Sequence, residues 1–179
     1  MMGCGSWTDH CAGDELPLHR VCLGDFWMGR YEVTQGQWSR IMADNPSPSR
    51  ERPDQPVESV TWAEAVEFAQ RLTTRSPDGR VFALPSEEQW EYACRSGGQP
   101  EKYAGGSGLD GLGWWLGNSA GAPRPVGGKA PNGLGLYDMS GNVWEWCAGN
   151  YDANAYAPDW RLNEESLLGP EAGSRRGGA

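Results

Sequence analysis

LGLYDMSGNVWEWC (134–147) packs an acid, a glycine turn, a second acid and two tryptophans into one short run. Asp138 and Glu145 stand seven residues apart around Ser140-Gly141-Asn142, a turn signal that folds the chain back on itself. Such a turn draws the two carboxylates and the intervening carbonyls together, and convergent oxygens suit a hard cation, Ca²⁺ above all. The same spacing also fits a solvated turn between two strands, with Tyr137, Trp144 and Trp146 serving a core. Spacing alone leaves both readings open.

Outward from this run, three segments carry one start signal. Thr34-Gln35-Gly36-Gln37, Thr61-Trp62-Ala63-Glu64 and Ser86-Glu87-Glu88-Gln89 each read S/T-x-x-E/Q ahead of a helical pattern, which predicts three short capped helices. The second places Ala65, Phe68, Ala69 and Leu72 on one apolar stripe, and the third does the same with Trp90, Ala93 and Cys94, so these side chains are expected in a core. Strands are expected to be few and short, at 20–28, 80–84 and 143–147. Between 95 and 135, and again over 148–174, Gly, Pro, Ser and Asn dominate. Long irregular loops are expected there, and Tyr151, Tyr156 and Trp160 are placed to meet a ligand.

The chain has 179 residues, the size of one domain, and combines ten tryptophans with 26 glycines, a pairing that favours large rigid side chains among loops over long helices. Its net charge of −9, without a basic run, argues against nucleic acid as a partner. No segment approaches the roughly 20 apolar residues of a membrane span, and MMGCGSWTDH (1–10) has no apolar core of a signal peptide.

Cys4, Cys11, Cys22, Cys94 and Cys147 are odd in number, so at least one is unpaired within the chain. Cys4 and Cys11 are close enough for a local bridge, which would point to an oxidising compartment, whereas Cys94 and Cys147 read equally well as small buried hydrophobes. The pattern leaves the compartment open and leans toward an extracytoplasmic or cell-surface location. Zinc at Cys4, His10, Cys11, His19 and Cys22 is disfavoured because the spacings lack the tight ligand pairs of such sites. Two histidines and no G-x-S-x-G give a hydrolase triad no support.

Five segments, taken in order, resemble the formylglycine-generating-enzyme family, also called the sulfatase-modifying-factor family. FWMGRYEVTQGQW (26–38) resembles its opening motif, RPDQPVESVTWAEAVEFAQRL (52–72) its "PV-x-x-V-s-W-x-x-A" helix, and FALPSEEQWEYACRSG (82–97) its "R-L-P-T-E-A-E-W-E-Y-A" segment. PVGGKAPNGLGLYDMSGNVWEW (125–146) carries the G-N-V-W-E-W signature, and RRGGA (175–179) resembles the start of an "R-G-G-S-W" block. Ala83 stands where the family usually has Arg, and Ser86 where it usually has Thr.

The resemblance implies a single α+β domain over 1–179, a loop-rich C-type-lectin-like fold with short helices around a small twisted sheet. The family's N-terminal edge and C-terminal block are expected to lie outside this chain. The resemblance further implies a structural Ca²⁺ site at the side chains of Asp138 and Glu145 and the carbonyls of Gly141 and Val143. A second, weaker site falls at Asn118 and the Ser119 carbonyl. In the family's oxidases a copper-binding cysteine pair follows the R-G-G-S block. None of the five cysteines here occupies that position, so copper is expected only if a further C-terminal block carries the pair, and no catalytic residue carries over. The expected function is a Ca²⁺-stabilised, non-catalytic domain that binds a protein or small ligand through its loops, such as the constant part of a retroelement-diversified variable protein. The alternative is part of a formylglycine-generating oxidase acting on a sulfatase Cys-x-Pro-x-Arg peptide.

Overall fold

The computed structural model describes residues 1–50, 52–150 and 173–177. Three helices begin where the capping signals place them: α1 spans Gln35–Met42, α2 Trp62–Thr74 and α3 Glu87–Cys94. At each start the hydroxyl of Thr34, Thr61 or Ser86 accepts the N–H three residues on. The Gln37, Glu64 or Gln89 side chain returns to the cap's own N–H, so two otherwise orphaned amides are paired at every start. Two single-turn helices follow, α4 (Leu109–Leu112) and α5 (Leu116–Ser119), within the glycine-rich stretch.

Strand β1 (Trp144–Asn150) pairs antiparallel with β2 (Gly173–Gly177), with Glu145 opposite Arg176 and a register irregularity between Trp146 and Asn150. The strand expected at 143–147 is therefore β1, but 20–28 and 80–84 are not strands. Their partners lie elsewhere: the Phe82 N–H donates to Thr73 Oγ1 (2.8 Å), and only a single bridge joins Ser86 to Ala148. A short apolar run cannot make a strand without a neighbouring backbone in register. The aromatic loop residues Tyr151, Tyr156 and Trp160 lie outside the described residues.

Trp90 and Ala93 of α3 pack with Ala104, Leu136, Met139 and Cys147 in one buried cluster, against which Met28 and Cys94 rest. A second contact stacks Trp38 of α1 on Phe68 of α2, ring centroids 5.0 Å apart and 4° from parallel. Two indoles tie β1 to the start of α2 and the residues just ahead of it: Trp62 Nε1 donates to the Cys147 carbonyl (3.0 Å) and Trp146 Nε1 to the Val60 carbonyl (2.9 Å). Large side chains with one polar atom each thus do the work that extra strands would do in a larger sheet, and they fix β1 directly after the acidic turn.

Candidate metal centre

The turn before β1 is bent by left-handed residues: Asp138 (φ 61°) and Asn142 (φ 64°) flank Gly141 (φ 156°). Asp and Asn tolerate that region, whereas position 141 admits no side chain, since a Cβ there would stand 2.3 Å from the Trp114 carbonyl oxygen. Asn142 locks the turn. Its N–H donates to that same carbonyl (2.8 Å), its Oδ1 accepts the Arg124 N–H (2.8 Å) and its Nδ2 donates to Glu32 Oε2 (2.7 Å).

Asp138 is buried. Its Oδ2 accepts the Gly127 N–H at 2.7 Å, while Oδ1 is buried without a hydrogen-bond partner among the described residues. Glu145, at the start of β1, receives the Trp90 indole N–H on Oε2 at 2.9 Å. Burial pushes the Glu145 carboxyl up to about 7; the Trp90 hydrogen bond opposes this and the Asp138 charge adds to it. Asp138 is also held above the usual carboxylate range by burial, with the Gly127 N–H pulling the other way.

A third acid belongs to the same neighbourhood. Glu32 Oε1 accepts the Val143 N–H (3.2 Å) and Oε2 the Asn142 amide. Its carboxyl is raised well above the ordinary range, first by burial and then by the charges of Glu145 and Asp138. Among the described residues, none of the ion pairs involves these three acids. Buried carboxylates without a counter-charge are costly, and either protons or a cation must neutralise them.

Asp138, Gly141 and Val143 thus lie in the turn, and Glu145 stands at the start of the strand that follows it. The Asp138 oxygen without a partner among the described residues and the raised Glu145 carboxyl suit a hard, oxygen-seeking cation. Side chains alone do not complete such a shell: no cluster of three or more His, Cys, Asp or Glu arranged for a metal occurs among the described residues. Backbone carbonyls would have to supply the rest. Asn118 and Ser119 are engaged locally. Asn118 Oδ1 accepts the Trp115 N–H (2.9 Å), its Nδ2 donates to the Gly113 carbonyl (3.1 Å), and Ser119 is buried in α5.

Of the residues the sequence reading did not single out, Glu32 matters most. It sits within FWMGRYEVTQGQW, and an acid between tyrosine and valine was the available signal that this segment needs a polar partner. Cys4 and Cys11 form a disulfide, their Cα atoms 5.6 Å apart, which removes both from any zinc site. Cys147 is buried in the core and Cys22 is exposed.

The profile of the sulfatase-modifying factor enzyme 1-like domain matches residues 2–179. The chain belongs to this family. It is 34% identical to the formylglycine-generating enzyme of Thermomonospora curvata across 90% of its own length and 52% of that enzyme, so it spans about half of that relative. It is 32% identical to the chaperone protein LppX of Paenibacillus barcinonensis over 80% of this chain and 69% of that protein. Among solved structures, Treponema denticola variable protein 1 superposes with a TM-score of 0.62 at 26% identity, over 72% of this chain and 65% of that one. The loop-rich fold with short helices and few strands is thus of the formylglycine-generating-enzyme type. No helix among the described residues is long and apolar enough to cross a membrane.

Proposed function

We propose that this domain is a Ca²⁺-stabilised binding scaffold. In this reading the Asp138 and Glu145 side chains and the Gly141 and Val143 carbonyls hold the ion, and the surrounding loops meet a protein or small ligand. The observation that carries it is the acidic turn: Asp138 Oδ1 is buried with no hydrogen-bond partner among the described residues, and burial raises the carboxyl of the half-buried Glu145. When bound, Ca²⁺ supplies positive charge to these acids, which form no ion pair among the described residues. Trp90 orients Glu145, the Gly127 N–H orients Asp138, and Glu32 fixes the backbone of the turn through Asn142 and Val143. Likeness to Treponema denticola variable protein 1 supports a binding role, with retroelement diversification as the finer expectation. The Cys4–Cys11 bridge supports work in an oxidising, extracytoplasmic setting.

The test is thermal melting with chelator and with millimolar Ca²⁺. Binding to the folded state alone, at free ion 100-fold above Kd, adds about 2.7 kcal/mol, so chelation should lower Tm and re-addition restore it. Identical melts would sink the cation reading.

A second reading, part of a formylglycine-generating oxidase, is favoured by the identity to the Thermomonospora curvata enzyme. Among the cysteines here, Cys4 and Cys11 are joined to each other, Cys94 and Cys147 serve the core, and Cys22 stands apart, an arrangement poorly suited to a thiolate Cu(I) site. Incubating the chain with a Cys-x-Pro-x-Arg peptide, copper and a thiol reductant should leave the peptide mass unchanged. Conversion of the peptide cysteine to the aldehyde would decide for the oxidase.

A further inference from the structure

Residues 1–19 close on themselves. Cys4 and Cys11 are bridged, Met2 and His19 exchange two backbone hydrogen bonds (2.9 and 3.0 Å), and the Cys4 N–H donates to the Glu15 carbonyl (2.9 Å). The closed loop rests on the C-terminal turn of α3 through a short set of polar contacts. The Gly3 N–H donates to Glu91 Oε1 (2.8 Å), and Arg95 donates to the Gly3 carbonyl (3.3 Å) and pairs with Glu91 (2.9 Å) in a largely buried position. The Arg95 guanidinium lies 4.4 Å from the ring centroid of Trp7, which sits between the two bridged cysteines. Gly3 has φ +101°, and a Cβ there would stand 2.7 Å from the Glu15 carbonyl oxygen, so the backbone approach is specific to this residue.

Glu91 directly follows Trp90, the residue whose indole holds Glu145. One turn of α3 therefore grips the disulfide loop with one side chain and the acidic turn with the next. Cys4 is buried but Cys11 is exposed, which leaves one sulfur of the bridge open to attack.

We propose that the Cys4–Cys11 loop is a redox-operated clasp: closed, it holds α3 in the position from which Trp90 orients Glu145, and a dithiol reductant opens it. A thiolate of the dithiol attacks Cys11 Sγ, breaking the protein S–S bond and forming a mixed disulfide, while Cys4 leaves as a thiolate and takes a proton. The second thiol of the reductant then displaces Cys11, which leaves as a thiol. Two electrons and two protons pass to the cysteine pair, and the dithiol becomes a disulfide. Once open, the loop no longer pins Trp7 on Arg95, and Glu91 and Arg95 lose the Gly3 amide and carbonyl that fasten them.

The experiment follows the Gly3 amide and the Trp90 indole N–H by NMR in calcium-free buffer, before and after dithiothreitol, with two new thiols confirmed by mass after alkylation. Reduction should speed exchange of the Gly3 amide at least about tenfold and shift the Trp90 indole signal. The Cys4→Ser/Cys11→Ser double variant should match the reduced chain. Because Cys4 is buried, Trp7→Ala serves as a milder variant that loosens the loop with the bridge intact. A calcium titration, which alone rests on the cation reading above, should show affinity weakened about fivefold on reduction, the low end of typical coupling between sites. An unmoved Trp90 indole in the fully reduced chain, or equal calcium affinity in both redox forms, overturns the clasp. A Trp90 shift with no calcium binding in either form supports the clasp and overturns the cation reading instead.

Discussion

Asn142 Nδ2 donates to Glu32 Oε2 at 2.7 Å, joining residues 110 positions apart in the chain. The other oxygen of the same carboxylate takes the Val143 N–H, so one buried acid from the segment ahead of α1 holds two consecutive residues of the acidic turn. The turn is shaped from a distance as well as by its own glycine.

Glu32→Ala should accordingly destabilise the domain by about 2 kcal/mol, because it strands the part-buried Val143 N–H and takes from the Asn142 amide one of its two acceptors, the Arg124 carbonyl remaining, at roughly 1–3 kcal/mol for an unsatisfied group. Urea unfolding followed by tryptophan fluorescence measures the loss. A change below about 1 kcal/mol would mean that water replaces the carboxylate and that Glu32 does not shape the turn.

Much of this arrangement was legible in the chain because it is local. The capping boxes at Thr34, Thr61 and Ser86 involve partners three residues away, and all three helices start there. The Cys4–Cys11 bridge spans seven residues and was open to the same kind of reading. What escaped was non-local. Residues 20–28 and 80–84 hold short apolar runs as strands do, yet pairing depends on which backbone lies alongside, and Thr73 Oγ1 takes the Phe82 N–H that a strand would have used. Glu32 escaped for the same reason: nothing between residues 26 and 38 announces an amide at position 142. Asp138 and Glu145 were singled out because the turn between them is short, although the burial that raises both carboxyls could not be read from spacing.

Glu145→Gln should remove most of the calcium-dependent rise in Tm while leaving the chelated protein close to wild type. Gln keeps nearly the same shape and can still accept the Trp90 indole hydrogen bond, but it removes the charge that a hard cation needs. Differential scanning calorimetry of both proteins, with and without Ca²⁺, measures this. A variant that retains the full response would move the ion away from Glu145.

Ser86→Ala should cost about 1 kcal/mol, since the Ser86 Oγ that accepts the Gln89 N–H at 3.2 Å is lost and that amide must find water. The reciprocal bond from Ser86 N–H to Gln89 Oε1 survives, which keeps the effect modest. Ser86→Thr, the residue usual in relatives of this pattern, should recover the loss because its hydroxyl caps equally well. If Ala and Ser melt alike, the start of α3 is held by packing of Trp90 rather than by its cap.

The free thiols should separate by burial. Cys22 is exposed, Cys147 lies in the core, and burial raises the Cys94 thiol to about 12, with the Glu145 and Glu91 charges adding to the shift. Only a thiolate attacks an alkylating or disulfide reagent quickly, so at pH 8 one thiol per native chain should react within minutes. The other two should react only as the protein opens, and three thiols should appear at once in denaturant without reductant. Cys94 also donates its Sγ–H to the Met139 carbonyl at 3.4 Å, so its labelling would report directly on opening of the cluster formed by Trp90, Ala93, Met139 and Cys147. Mass spectrometry of peptides after timed labelling assigns each site, and rapid modification of Cys94 in the native chain would show that α3 does not seal the core as described.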